Sequence, residues 1–266
     1  GQSSISQTLT NNTNTAKTVV YTVTPTSGDA GSCVGAPFTV TVTVNPTPVV
    51  PNQTATICSG GTFTKTPVDA APTTIIPSGT TYTWTVATNT SVTGQSNQAV
   101  GQSSISQTLT NTTNGVQTVV YTVTPTSGDA GSCVGTNFTV TVTVNPTPVI
   151  ANKTVSTCSG TGFTVTPSNG GGDIVPTGTT YAWSALPVVT GGLTGGATAS
   201  LQSSINGTLT NPTNTPQTAT YTVTPTSGLC NGPTFTVVAT INPKPAIANK
   251  TATICSGDAF TITPNN

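Results

Sequence analysis

The chain is poor in charged residues. Of its 266 residues, five are Lys and five are Asp, and Arg, Glu, His and Met are absent. Charged residues make up 4% of the chain, against about 25% in an ordinary soluble domain. With five Lys and no Arg, the chain has no basic stripe that could form an electrostatic footprint for nucleic acid. The missing His and Glu remove the side chains that most often act as general acids and bases near neutral pH. We therefore expect that the chain is not an enzyme and binds no nucleic acid.

The sequence also lacks helical periodicity and any apolar run long enough to cross a membrane, so we expect no membrane insertion. It is instead rich in Thr, which supplies 66 residues and alternates with apolar residues. In residues 138–144, for example, Phe and Val alternate with Thr, and the pattern recurs at 38–44 and 235–241. A period of two residues predicts strands with one buried face.

A second alternating segment precedes each of these strands. The string VVYTVTPTSG begins at Val19 and Val119, and ATYTVTPTSG begins at Ala219. A Gly-rich loop joins it to the following strand, which predicts a β-hairpin. Further strands are expected near residues 54–58, 62–67, 80–86 and 103–109, each bounded by Gly, Pro, Asn or Ser. About seven short strands per hundred residues predict an all-β chain of immunoglobulin-like β-sandwich domains.

Aromatic residues fall on the inward phase of these strands, and we expect them to form the core and not a ligand platform. Two Trp residues lie on the expected third strand, where such sandwiches often bury a Trp. The predicted core residues are Trp84, Trp183, Tyr21, Tyr121, Tyr221, Phe63, Phe163 and Phe138.

The chain repeats itself with a period of about one hundred residues. The string GQSSISQTLT begins at Gly1, returns unchanged at Gly101 and comes back as LQSSINGTLT at Leu201. Residues 1–50 and 101–150 differ at seven positions, nearly all in expected turns. Near-identical tandem copies are typical of surface arrays, whose repeats add length and do not each catalyse a reaction.

Proline-rich strings mark the expected domain boundaries. VNPTPVV, VNPTPVI and INPKPAI follow the last strand of each copy, and such prolines favour an extended, semi-rigid connection. Residues 1–45 then form the C-terminal half of one repeat. Residues 46–145 and 146–242 form two complete repeats, and residues 243–266 begin the next. Because the chain begins and ends inside a repeat, we expect it to be part of a longer array.

The cysteines recur in a regular series at Cys33, Cys58, Cys133, Cys158, Cys230 and Cys255. Their even number predicts disulfides in an oxidising compartment, while the absence of CxxC spacing and of His argues against a metal site. Pairing within each repeat would join Cys58 to Cys133 and Cys158 to Cys230. The expected topology places these residues at opposite ends of a sandwich, and bridged Cα atoms lie within about 7 Å. The alternative is a bond between Cys58 of one repeat and Cys230 of the next.

Two further residue types are candidate sites. Asp29 and Asp129 lie in the hairpin loops and could help to hold Ca²⁺, although the third copy has Leu229 in that region and one carboxylate per loop is few. We therefore expect no cofactor, with Ca²⁺ as the remaining alternative. Asn-x-Thr sequons, including those at Asn11 and Asn111, are expected in exposed turns.

The strings VVYTVTPTSG, FTVTVTVNPTP and TICSGGTFT together resemble the PKD-like and immunoglobulin-like repeats of very large surface proteins of the Bacteroidota. That group includes gliding-motility adhesins and other filaments that the type IX secretion system exports. The resemblance covers the whole chain, and it implies an extracellular or cell-surface fibre or stalk.

Three functions are open at this point. The first is a structural segment of a giant extracellular filament or adhesin stalk, which extends a distal adhesive tip for attachment, gliding or capture of prey or surfaces. The second is direct binding of the repeats to glycans or surfaces, and the third is a spacer within a secreted enzyme. Near-identity between copies favours the first. Uncharged strands and zero net charge also predict lateral self-association into a homo-oligomeric bundle, with any surface or glycan ligand bound at a tip outside these residues.

Overall fold

The computed structural model describes residues 1–28, 30–128, 131–183 and 187–264. Every regular element in these residues is a strand, which confirms the predicted all-β class. In the same residues, no helix is long and apolar enough to span a membrane. The chain forms two compact units. The first contains Gly1–Asn111 and Val116–Asn145, and the second contains Thr112–Gly115 and the residues from Pro146 onward.

The first unit holds ten strands. They are β1 (Lys17–Val23), β2 (Phe38–Val44), β3 (Gln53–Cys58), β4 (Gly61–Lys65), β5 (Thr81–Val86), β6 (Val92–Thr93), β7 (Gln98–Gln102), β8 (Ile105–Asn111), β9 (Gln117–Thr126) and β10 (Phe138–Asn145).

Strands β3 to β10 form one sandwich of two sheets. One sheet has the order β3-β10-β9-β5-β7, and the other has the order β4-β8-β6. The predicted hairpin is present, because β9 and β10 pair antiparallel with Val123 opposite Phe138. Thr and apolar residues alternate as the sequence predicts: Phe138, Val140, Val142 and Val144 are buried, while the Thr residues between them face outward.

The first and last strands of the sandwich run side by side in the same direction. Strand β3 pairs parallel with β10, from Gln53 opposite Val140 to Cys58 opposite Asn145. Cys58 therefore lies where the chain leaves the sandwich, while the loop between β9 and β10 lies at the other end.

The N-terminal half-repeat supplies a two-stranded sheet in which β1 and β2 pair antiparallel from Lys17 opposite Val44 to Val23 opposite Phe38. In a complete repeat the equivalent strand β10 also pairs with a first strand. Within the described residues, β2 has no such neighbour. Its Phe38 is 48% exposed, against 2% for the equivalent Phe138.

The second unit repeats the sandwich with ten further strands. They are β11 (Lys153–Cys158), β12 (Gly162–Val165), β13 (Thr180–Trp183), β14 (Val188–Val189), β15 (Thr194–Gly195), β16 (Ala199–Gln202), β17 (Ile205–Thr210), β18 (Gln217–Ser227), β19 (Cys230–Asn231) and β20 (Phe235–Asn242).

The sheets of the second unit have the orders β11-β20-β18-β13-β16 and β12-β17-β15, and β14 and β19 pair with β18. Strand β11 again pairs parallel with the last strand, and Cys158 lies opposite Asn242. Residues 243–264 follow β20 and form no strand.

The proline-containing linkers pack onto the domain that follows them. In the first unit Pro46 and Pro48 are buried, and Val49 exchanges two backbone hydrogen bonds with Ile75 at 2.8 and 3.0 Å. The Pro48 carbonyl lies so close to Gly135 that a β-carbon there would overlap it.

In the second unit Pro148 and Gly232 make the same approach, and Val149 pairs with Ile174. The linkers are therefore ordered by tertiary contacts, which proline spacing alone does not reveal.

Candidate functional surfaces

The aromatic residues of the complete repeats lie in the two cores. Trp84 and Trp183 are buried, and their indole N–H groups donate to the carbonyls of Ser96 and Ala197 at 3.0 and 2.6 Å. The side chains of Phe63, Phe163, Phe138, Tyr121 and Tyr221 are buried as well. Tyr21 is half-buried, because among the described residues the half-repeat that contains it has only the two-stranded sheet of β1 and β2. None of these rings in the complete repeats is presented as a flat platform to a ligand.

The central tyrosines differ in how their hydroxyls are satisfied. Tyr121 donates to Gln107 Oε1 at 2.8 Å, and Tyr21 donates to Gln7 Oε1 at 2.6 Å. In the third copy, Gly207 stands at the position of this glutamine. Within the described residues the buried Tyr221 hydroxyl has no hydrogen-bond partner. A β-carbon on Gly207 would lie 2.9 Å from that hydroxyl.

Burial sets the protonation state of the core tyrosines. It raises the pKa of Tyr82 to about 12 and raises the pKa values of Tyr121 and Tyr221 as well. For Tyr181, burial and the charge of Asp173 both raise the pKa. These phenols therefore stay protonated near neutral pH and act as packing groups and hydrogen-bond donors.

Asp173 and Lys153 form an ion pair near the start of the second sandwich. Burial acts to raise the pKa of the Asp173 carboxyl, but the hydrogen bonds from the Ala151 N–H and the Lys153 ammonium, with the Lys153 charge, reverse the shift and lower the pKa. The carboxylate fixes the segment that leads from the linker into β11. Its role is structural, and it depends on two residues that lie 20 positions apart in the sequence.

The cysteines do not form the bonds expected within each repeat. Cys58 and Cys230 are disulfide-bonded, whereas Cys33, Cys133, Cys158 and Cys255 carry free thiols. The predicted disulfides Cys58–Cys133 and Cys158–Cys230 are therefore wrong, because Cys133 and Cys158 are free.

The parallel pairing of first and last strands explains this. Cys58 lies opposite Asn145 at the end of β10, while Cys133 precedes the start of β10 at Phe138. A strand of that length spans about 25 Å, far more than the separation of about 7 Å that a disulfide allows. The same distance along β20 separates Cys158 from Cys230.

Asn111 is an internal hydrogen-bonding group and not an exposed turn residue, which corrects the interpretation of its sequon. It is 2% exposed, and its side chain donates to the Val144 carbonyl at 3.1 Å. Asn11 and Asn211 donate to the equivalent carbonyls of Val44 and Ile241 at 2.8 Å. Asn211 keeps this role although Pro212 destroys the sequon, so recurrence of Asn at this position was the signal for a structural role.

The clefts on the first unit are open to solvent. One of about 520 Å³ lies beside Trp84 and is lined mainly by Ser, Thr and Gln, including Gln98, Gln102 and Gln107. Within the described ranges, His, Cys, Asp and Glu form no cluster of three or more that could hold a metal ion. Asp29 and Asp129, the calcium candidates, lie outside the described residues.

The long sheet of the first sandwich ends in uncharged strands. Its edges are β3 and β7, and neither contains a charged residue. Val100 on β7 is 70% exposed. Soluble proteins usually protect such edges with charged residues, Pro or bulges, because an open edge can pair with another chain. Strand β7 carries a register shift in its pairing with β5, whereas β3 has no charged residue or Pro along its edge.

The sequence matches a known domain family. A model of the PKD-like domain matches residues 1–48, 55–148 and 153–245. No curated protein matches the chain significantly.

Similar solved structures include mouse clustered PcdhgC3 EC1-3, with 10% identity over 88% of this chain and 79% of that chain and a TM-score of 0.27. The chicken CNTN1 FN1-FN3 domains share 11% identity over 79% of this chain and 71% of that chain, with a TM-score of 0.29. Human mucin-like protocadherin EC1-2 shares 16% identity over 73% of this chain and 97% of that chain, with a TM-score of 0.27. Because the family model matches each of the repeats and most of the sequence, the chain belongs to the PKD-like domain family.

Proposed function

We propose that the chain is a structural segment of a giant extracellular filament or adhesin stalk, of the kind that the type IX secretion system of Bacteroidota exports. The repeats extend a distal adhesive tip from the cell for attachment, gliding or capture of prey or surfaces. The segment itself catalyses no reaction and needs no cofactor.

The packing of the linkers is the observation that carries this proposal. In each unit the proline-containing linker is held by backbone bonds to the following domain and by close contact with a loop glycine, Gly135 or Gly232. A flexible tether would need none of these contacts, whereas a stalk gains reach when its connections are ordered. Near-identical repeats in tandem add length in equal steps.

Two properties support an extracellular location. Disulfides persist in oxidising environments and are rare in the cytosol, and Cys58 and Cys230 are disulfide-bonded. A chain with so few ionisable groups is also insensitive to the pH and salt of an external medium.

Immunogold electron microscopy of intact source cells with antibodies against this chain tests the proposal. We expect gold particles along thread-like projections outside the cell. Antibodies against a cytoplasmic protein provide the control, since they should label permeabilised cells only. If the chain is also labelled only after permeabilisation, the filament proposal is wrong.

Direct glycan binding is the second candidate, and the polar cleft beside Trp84 is the feature that favours it. Against it, both Trp residues and the four Tyr residues of the complete repeats are buried, so they offer no open stacking surface. Binding of the purified chain to a glycan array would support this candidate.

The third candidate, a spacer in a secreted enzyme, requires a catalytic domain in the same polypeptide. Mass spectrometry of the native protein would detect such a domain.

The stalk is also proposed to associate laterally with copies of itself. The uncharged edges β3 and β7 and the zero net charge provide little electrostatic protection against sheet pairing. Contacts that recur at a fixed spacing add up along a thread, so a weak interface per repeat becomes strong over many repeats.

A further inference from the structure

The outer side of β3 is an open strand edge. In the part of the chain that the structure describes, β3 pairs with β10 on one side and with no strand on the other. It contains no charged residue and no Pro. The opposite edge of the sheet, β7, differs because the register shift in its pairing with β5 interrupts the edge. The β3 edge is therefore the less protected of the two.

A hydrogen bond at the end of β3 shows which of its backbone groups are open. The Ser59 N–H donates to the Asn145 carbonyl at 2.8 Å, so residue 59 faces β10. The backbone groups of successive strand residues point to opposite sides, and the odd-numbered residues of β3 therefore face β10 throughout the paired register. The N–H and C=O groups of Thr54 and Thr56 point away from the sheet, and both residues are exposed.

The second unit repeats this arrangement at β11, which pairs only with β20 among the described residues. The Ser159 N–H donates to the Asn242 carbonyl at 2.9 Å. The same alternation leaves the backbone groups of Thr154 and Ser156 pointing away from β20. The charged residue at the start of β11 is held in an ion pair within the same unit. Each complete repeat thus presents the same short edge.

The open residues of β3 match a second copy of the same strand. When two β3 strands run antiparallel about a twofold axis at Ala55, Thr54 of each copy lies opposite Thr56 of the other. Each of these two pairs exchanges two backbone hydrogen bonds, so four bonds join the strands. The Thr side chains of both copies lie on one face, where cross-strand Thr pairs stabilise antiparallel strands.

Charge does not oppose this pairing. Of the two strands that border this side of the sandwich, β3 has no charge and β4 has Lys65 at its end. The chain turns between β3 and β4, so the Lys65 end of β4 lies toward the start of β3. The antiparallel arrangement keeps the two Lys65 residues at opposite ends of the contact. Zero net charge adds no general repulsion between copies.

We propose that the β3 edge pairs antiparallel with the β3 edge of a second copy of this chain, and that β11 pairs in the same way with an equivalent edge. This inference rests on the lateral association proposed above and names the surface that makes it. An unrelated peptide would gain only the bonds of one short edge. A second copy offers the edge in each complete repeat, and contacts that recur along two chains add.

Hydrogen exchange of the full chain at low and high protein concentration, followed residue by residue by NMR, tests this pairing. Exchange of the Thr54 and Thr56 amides should slow about tenfold once about nine-tenths of the chains are associated, because exchange then proceeds from the free fraction. The amides of Ala55 and Ile57 are internal controls, since they face β10 within the sandwich. Sedimentation of the same samples measures the associated fraction.

The possible outcomes separate the pairing from lateral association in general. Association that leaves the Thr54 and Thr56 amides unprotected uses another surface, so it overturns the pairing and leaves lateral association intact. A chain that stays monomeric at every concentration overturns lateral association and the pairing with it. Neither result bears on the extracellular stalk, which immunogold labelling tests separately.

A Pro variant gives an independent measurement. Thr56→Pro with Ser156→Pro removes one outward N–H from each edge, and Pro is tolerated on an edge strand where the N–H faces solvent. The dissociation constant should rise at least about tenfold, because each pairing loses two of its four hydrogen bonds. Val100→Lys changes the exposed β7 edge and is the matched control, which should leave the dissociation constant unchanged.

The amides of β9 and β18 report whether the Pro variant keeps both sandwiches folded. A folded Pro variant that associates as strongly as the parent chain refutes the pairing, as does a loss of association in Val100→Lys alone. If the Pro variant does not fold, the exchange measurement on the unaltered chain decides.

Discussion

The Tyr121 hydroxyl donates its hydrogen bond to Gln107 Oε1 across the core of the first sandwich, and the third copy replaces this glutamine with Gly207. The two copies thus contain the same buried phenol with and without a partner. Tyr121→Phe should cost about 1 kcal/mol because it removes a buried hydrogen bond. Tyr221→Phe should leave the stability unchanged or raise it by up to about 1 kcal/mol, because it removes an unsatisfied hydroxyl.

Hydrogen exchange of the amides in β9 and β18 measures the two effects separately, because each strand reports the opening free energy of its own sandwich. Equal losses of stability in both variants would show that the hydroxyl of Tyr221 is satisfied in solution.

The pH dependence of stability should be flat between about pH 5 and pH 9, with a fall on each side. The folded pKa of Asp173 is lowered, so its contribution is present above the unfolded pKa and is lost as the pH falls through the folded value. Burial raises the pKa of Tyr82 to about 12, so the contribution of this phenol is present below the unfolded pKa and is lost as the pH rises toward 12. Thermal melting across the pH range provides the measurement. Asp173→Asn should weaken the acid fall, and Tyr82→Phe should weaken the alkaline fall.

Alkylation of the denatured, unreduced chain should modify Cys33, Cys133, Cys158 and Cys255 and protect Cys58 and Cys230. Cys133→Ser should leave the melting temperature unchanged, because that thiol is free. Cys230→Ser should lower the stability by about 2 to 4 kcal/mol, because it removes a native disulfide. Peptide mapping distinguishes the two classes, and protection of Cys133 would contradict the assignment.

Gly135→Ala should destabilise the first sandwich by about 1 to 3 kcal/mol, because its β-carbon would overlap the Pro48 carbonyl and displace the linker. Gly115→Ala is the control, since nothing lies near a β-carbon at that position. Elastase should cleave near Val49 faster in the first variant than in the control. Equal cleavage would mean that the linker is not held by this contact.

Lateral association should strengthen with the number of repeats, because identical weak contacts add along the thread. Sedimentation of proteins with two, four and eight complete repeats provides the measurement. Monomers at every length would leave a single-stranded stalk.

The strands with strict alternation could be predicted from the sequence, because a period of two fixes both the strand and its buried face. Residues 38–44 form β2 as expected, and the 138–144 and 235–241 segments form most of β10 and β20. The short strands could not be predicted in this way. Strand β7 has the sequence QAVGQ without alternation, and β6 and β14 have two residues each. Their pairing is set by neighbouring strands and not by their own pattern.

The contacts that hold the linkers are long-range, and this explains why the sequence did not reveal them. The approach of Gly135 to Pro48 joins segments almost ninety residues apart. The distance between Cys58 and Cys133, by contrast, was expected from the sandwich topology, and the parallel pairing of β3 with β10 accounts for it.

The parallel pairing of the first and last strands also determines how a repeat resists tension. The chain enters the sandwich at the start of β3 and leaves it at the end of β10, and six residue pairs join these strands. A pull applied to both ends acts along the strands, so it shears the interstrand hydrogen bonds together and does not open them one after another. Evenly spaced parallel bonds share such a force. We therefore expect the repeat to unfold slowly when it is stretched. The unfolding rate is the quantity that determines how long a protein survives under force.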